Sequence, residues 1–201
     1  MTRGRVEAFS DGVIAILITI MVLEMKVPHG TDWAALRPVL PVFLSYVLSF
    51  IFLGIYWNNH HHLFHAVRRV SGGILWANLH LLFWLSLIPF VTGWMGENHF
   101  ARVPVAMYGV VLLCAAGAYY ILTRALLAQH ERDSPIARAL QSKLKEKMSI
   151  VLYAAAIVVS AVSASIACGF YVIVAIMWLV PDRRIEQTLA ERAEEATREH
   201  E

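Results

Sequence analysis

Apolar residues in this chain fall in long unbroken blocks, not in the alternation of a strand or the one-sided stripe of a surface helix. Residues 39–59, 70–96, 103–123 and 148–181 carry no formal charge. A helix rises about 1.5 Å per residue and needs about 20 residues to cross roughly 30 Å of hydrocarbon. The first three blocks therefore predict one crossing each. The last block is 34 residues long and would extend about 51 Å as one helix. It is expected to fold as a helical hairpin that turns near residues 163–169, where small residues collect. A further block lies at the start, where only 12 residues separate Asp11 from Glu24. That is about 18 Å of helix, too little to span alone. Phe9 and Met25 extend its apolar pattern at both ends. Residues 6–26 are therefore read as a membrane helix whose polar ends are shielded by protein or water. Val27-Pro28-His29-Gly30 ends it. Thr31 is the expected N-cap of a short surface helix ahead of Pro38 and Pro41.

The pattern predicts an all-α, polytopic membrane protein with six crossings at about residues 6–26, 42–61, 73–93, 103–124, 147–163 and 167–181. Residues 1–181 form one transmembrane domain, and 182–201 a charged cytoplasmic tail. Composition agrees: 58% of residues are hydrophobic and only 16% charged, against about 25% charged in soluble domains. Lysine and arginine orient the chain. Arg3 and Arg5 precede the first span, and Arg68 and Arg69 join the second to the third. Arg124, Arg132, Arg138, Lys143, Lys145 and Lys147 flank or fill the link between the fourth and fifth, and Arg183 and Arg184 follow the sixth. The alternate loops carry only Lys26, Arg37 and Arg102. With six spans every basic-rich segment falls on one side, so both termini are expected in the cytoplasm and the protein in the cell membrane. The net charge of +2 gives no nucleic-acid signal. Cys114 and Cys168 sit in apolar blocks and read as small core residues.

The first helix is the richest in candidate chemistry. Arg5, Ser10 and Asp11 lie where a membrane protein must supply partners, and ionisable residues within membrane helices are functional candidates by default. A snorkelling interface position suits Arg5. The short Asp11 carboxylate suits a buried hydrogen-bonded network better. Ile16, Ile20 and Leu23 share one helix face, with Thr19 beside them. Periodicity alone reads that face as ordinary packing, because every face of this helix is apolar.

The run Arg5-x-x-x-Phe9-Ser10-Asp11, continuing through Gly12, Ile16, Thr19, Leu23 and Glu24 to Val27-Pro28, resembles the first helix of the transmembrane protein 175 family. These are lysosomal potassium channels and their bacterial relatives. Tyr56-Trp57-Asn58-Asn59-His60-His61-His62-Leu63-Phe64 resembles the end of that family's second helix. Residues 82–90 resemble its third, and the closing Trp178-Leu179-Val180-Pro181-Asp182 also fits. The resemblance implies a single six-helix repeat assembling as a homotetramer, with the first helix of each subunit lining a central pore. It implies a potassium-selective, leak-type channel that needs no cofactor, potassium being the permeant ion. The constriction is implied to be rings of apolar side chains: Ile16 the narrowest, Leu23 a second, Thr19 a polar ring between them, and Ile20 in the same set. The absence of any Thr-Val-Gly-Tyr-Gly-like run agrees with such a hydrophobic filter. The resemblance further implies a network of Arg5, Phe9, Ser10 and Asp11 with Trp57 and a histidine, for which His61 is the candidate. Glu24 at the outer mouth either gathers cations as a ring of carboxylates or pairs with Lys26 or another neighbour.

Rival readings are weaker. His61 and His65 have the i, i+4 spacing of metal ligands but lack a matching carboxylate or cysteine pattern, so no metal is expected. His80 reads as a hydrogen-bonded core residue. A secondary ion or solute transporter would show paired helix breaks near mid-membrane, and Pro89 is the one mid-span proline. A proton-conducting protein is the other alternative. An enzyme is not expected, since no HExxH, Gly-x-Ser-x-Gly or paired aspartates occur.

Overall fold

The computed structural model describes residues 2–65, 70–128 and 143–179. Arg68, Arg69, Arg132, Arg138, Arg183 and Arg184, with Pro181 and the expected tail at 182–201, lie outside the described residues. The described residues form seven α-helices: α1 (Arg3–Leu23), α2 (Leu40–His65), α3 (Gly72–Ser86), α4 (Ile88–Glu97), α5 (Arg102–Leu127), α6 (Lys143–Ser160) and α7 (Ala164–Leu179). A 3-10 helix, Trp33–Leu36, lies between α1 and α2. Four stretches are long and apolar enough to cross a bilayer: Arg3–Leu23, Leu40–Phe64, Gly72–Glu97 and Arg102–Leu127. The α6–α7 hairpin has shorter limbs, with Lys145, Glu146 and Lys147 in the first turns of α6.

Three local features differ from the sequence pattern, each for a physical reason. The third apolar path is two helices, because Pro89 at the start of α4 has no N–H to give and its ring crowds the preceding turn. The chain steps at Leu87 and resumes at once, with the Val91 amide bonded to the Leu87 carbonyl at 3.1 Å. The last hairpin turns at residues 161–163, earlier than the expected 163–169. Ser163 opens α7: its Oγ accepts from the Ile166 amide at 3.4 Å and its carbonyl from the Ala167 amide at 3.2 Å. Asp32, not Thr31, caps the 3-10 helix, accepting from the Ala35 amide at 3.1 Å. A carboxylate is the stronger acceptor there. Gly30 is required beside it, since a Cβ at that position would meet the Ala35 Cβ at 2.8 Å.

Helix α5 packs against α3, α4, α6 and α7, while α1 packs on α2, α3 and α4. Lipid gives no hydrophobic drive between helices, so close packing and hydrogen bonds must hold them. Small residues supply the packing. Gly96 lets α4 approach α2, where a Cβ would lie 2.7 Å from the Val42 Cα. Gly96→Ala is therefore expected to cost about 1–3 kcal/mol, read as a lower melting temperature of the purified protein. Polar groups supply the rest. The Ser49 hydroxyl lies 2.6 Å from that of Thr92 and 2.9 Å from that of Tyr108, joining α2, α4 and α5. The Tyr171 hydroxyl donates to the Val105 carbonyl at 2.9 Å, joining α7 to α5.

Candidate functional site

The two faces of α1 have opposite fates. Val6, Ser10, Ile14, Leu17 and Met21 are buried. Gly12, Ile16, Thr19 and Leu23 are exposed. Each exposed position follows a buried one by two residues, about 200° around the helix. Ile16 is 62% exposed, Ile20 43% and Leu23 81%, so this stripe touches little of its own chain. The Thr19 hydroxyl lies 3.0 Å from both the Ala15 and Ile16 carbonyls. Its hydrogen is spent on the helix, and its oxygen lone pairs remain for whatever passes outside. Phe9 is also exposed.

The buried face is held by polar contacts at the N-terminal end of α1. Ser10 is fully buried and donates to the Val6 carbonyl at 2.9 Å. It also accepts from Asn78 Nδ2 on α3 at 2.9 Å. Asn78 Oδ1 in turn accepts from His60 Nε2 on α2 at 2.8 Å. This chain ties three helices through one buried amide. His60 stacks on Phe64 with ring centroids 4.5 Å apart, and its Nδ1 has no hydrogen-bond partner among the described residues. A second layer lies nearer solvent. Trp57 Nε1 donates to Asp11 Oδ1 at 3.0 Å. His61 Nδ1 lies 2.9 Å from Glu7 Oε1, and Arg3 Nε lies 3.8 Å from Glu7 Oε2.

The expected residues are thus sorted by geometry. Asp11 and Trp57 meet, and Ser10 joins the buried chain. His61 goes to Glu7, one turn before Asp11. Arg5 is exposed and makes none of these contacts, while Arg3 lies beside Glu7. His80 is not a core residue. The buried face of α3 is Ile74, Ala77, Asn78, Leu81, Leu82 and Leu85, and His80 lies opposite, exposed, accepting from Trp84 Nε1 at 2.9 Å. Glu24 ends α1, exposed, and makes no ion pair among the described residues. Lys26 instead lies 3.6 Å from Glu97, an exposed pair worth little. Glu7, Asn78 and the particular role of His60 escape the sequence reading. Their only signal is polarity inside or beside apolar blocks.

A bundle of long apolar helices, laced by buried polar side chains and leaving one face of its first helix bare, defines a multi-pass membrane protein. The family model for the endosomal/lysosomal potassium channel TMEM175 matches residues 5–89, which carry α2, α3, nearly all of α1 and every polar contact of the site above except those of Arg3 with Glu7 and of Lys26 with Glu97. A protein described as a potassium channel from Chryseobacterium sp. (strain P1-3) is 57% identical over 191 residues, covering 95% of this chain and 100% of that one. A second potassium channel, from Streptomyces collinus, is 38% identical over 149 residues, covering 68% of this chain and 72% of that one. Among solved structures, the crystal structure of a lysosomal potassium-selective channel TMEM175 homolog from Chamaesiphon minutus matches with a TM-score of 0.73 and 30% identity, covering 88% of this chain and 96% of that one. The chain belongs to the TMEM175 family, whose members are channels and not enzymes.

Proposed function

We propose that this protein is a potassium-selective, leak-type cation channel of the cell membrane, built from four copies with α1 of each lining a central conduit. The observation that carries this reading is the bare stripe of Gly12, Ile16, Thr19 and Leu23. In one chain it has no packing partner, and a conduit shared by several copies would give it one. Six crossings with both termini in the cytoplasm suit the distribution of lysine and arginine. Rings of Ile16 and Leu23 offer no oxygen to replace lost water. They select by diameter and dehydration cost, and they close by dewetting. Potassium sheds water more cheaply than sodium, so a narrow apolar ring favours it. Thr19 oxygens between the rings give a cation one polar resting place. Exposed Glu24 at the end of α1 raises the local cation concentration at one mouth.

Purified protein in liposomes under a potassium gradient tests this. Steady flux driven by the gradient alone, and larger for potassium than for sodium, is expected. Flux that saturates and requires a second, coupled ion would point to a transporter instead.

A further inference from the structure

Helices α5 and α6 run antiparallel. A Cβ on Gly109 would lie 2.9 Å from the Ile157 side chain, while Ala116 and Tyr119 share one interior gap with Glu146 and Ser149. Tyr119 and Glu146 therefore face inward at about the same depth. Successive residues of a helix are turned by about 100°, so the outer side of the same helix pair carries Tyr120 and Arg124 from α5 and Lys147 from α6. All three are exposed. The Arg124 guanidinium lies 5.9 Å from the centroid of the Tyr120 ring, one turn back along α5. Folding back over that ring brings it nearly level with Lys147. Neither cation forms an ion pair among the described residues. Two turns deeper, each helix presents a small residue on this side. These are Gly117, where a Cβ would meet open space, and the exposed Ala154.

The outer groove between α5 and α6 thus has a basic rim and a low apolar floor. Its rim suits a phosphate: the Arg124 fork matches phosphate oxygens, the Tyr120 ring holds that fork in place, and Lys147 adds a second charge. A zwitterionic head would bring its own ammonium against two unopposed cations. A free anion would leave the floor bare. An anion that carries acyl chains uses both parts, and basic pockets between membrane helices are known to take such heads. We propose that this groove holds an anionic phospholipid, its phosphate on Arg124 and Lys147 and an acyl chain over Gly117 and Ala154. The inference rests on the proposed crossing of α5 and α6 and not on the conduit, since no residue of α1 takes part.

Native mass spectrometry of the delipidated full-length protein, titrated with phosphatidylglycerol or with phosphatidylcholine of the same chains, provides the test. Binding is read without flux, so its outcome is separate from that of the channel reading. Phosphatidylglycerol should bind to saturation at one per subunit, more tightly than phosphatidylcholine. Arg124→Gln and Lys147→Gln should each weaken it about fivefold, with a smaller effect on phosphatidylcholine. Gly117→Leu should weaken both lipids, because it fills the floor beneath the chains. The two charge variants lie on different helices, so the test stands if one of them fails to fold. Equal affinity for the two lipids overturns the proposal. So does phosphatidylglycerol binding that survives both charge substitutions and therefore resides elsewhere. Displacement of the lipid by an equal concentration of glycerol phosphate also overturns it, because the site would then be one for a free anion.

Discussion

Ile16→Asn is expected to raise sodium flux about tenfold, a barrier lowered by about 1.4 kcal/mol, and to pull potassium-over-sodium selectivity toward unity. Ile16 is 62% exposed on a helix whose opposite face is packed. A substitution there disturbs little of its own subunit. In the proposed ring it replaces branched carbon with an amide that offers both a carbonyl oxygen and N–H donors. The constriction becomes wet, and the dehydration difference between the two ions no longer sets the barrier. Flux in liposomes with matched potassium and sodium gradients measures this. Unchanged selectivity would remove Ile16 from the constriction.

The second large effect is on assembly of the bundle. Asn78→Leu keeps the volume of the side chain but leaves buried His60 Nε2 on α2 without its acceptor and unties α3 from Ser10 on α1, which keeps its bond to the Val6 carbonyl. A buried polar group left unsatisfied costs about 1–3 kcal/mol, although hydrogen bonds between membrane helices average nearer 0.6 kcal/mol. The melting temperature of the purified protein should therefore fall by several degrees. Ser10→Ala alone should cost less, because Asn78 keeps its bond to His60. The double variant should lose less than the sum of the two, since residues in one network couple. Strictly additive losses would mean that the buried chain does not act as a unit.

Four apolar stretches long enough to cross a bilayer were legible in the sequence, because lipid demands long apolar runs and the chain has little room to vary them. It marked Pro89 as a mid-span proline but read residues 73–93 as one crossing, whereas the missing N–H there divides the path into α3 and α4. It could not say which face of α1 is packed. Every face of that helix carries apolar residues, so the contrast between Val6, Ser10, Ile14, Leu17 and Met21 and the bare Ile16 and Leu23 exists only in three dimensions. The polar network was half legible. Asp11 and Trp57 drew notice as polar and amphipathic residues in a recognisable run. The Ser10–Asn78 bond joins positions 68 residues apart, and no local period encodes such a pairing. The same limit explains His61, whose partner Glu7 sits one turn from the aspartate that attracted attention. The expected turn at 163–169 followed the small residues there. Ala164 to Gly169 instead continue as helix, because the Ser163 side chain opens a new one.

The central claim is that the bare face of α1 borders the path of the ion. Leu23→Cys, in a protein whose half-buried Cys114 and Cys168 are replaced by alanine, puts a thiol at the most exposed point of that face. A bulky charged methanethiosulfonate reagent should then abolish most of the potassium flux. The same reagent on Val158→Cys, a 73% exposed position on α6, should leave flux unchanged. Full modification of Leu23→Cys with undiminished flux would contradict the account.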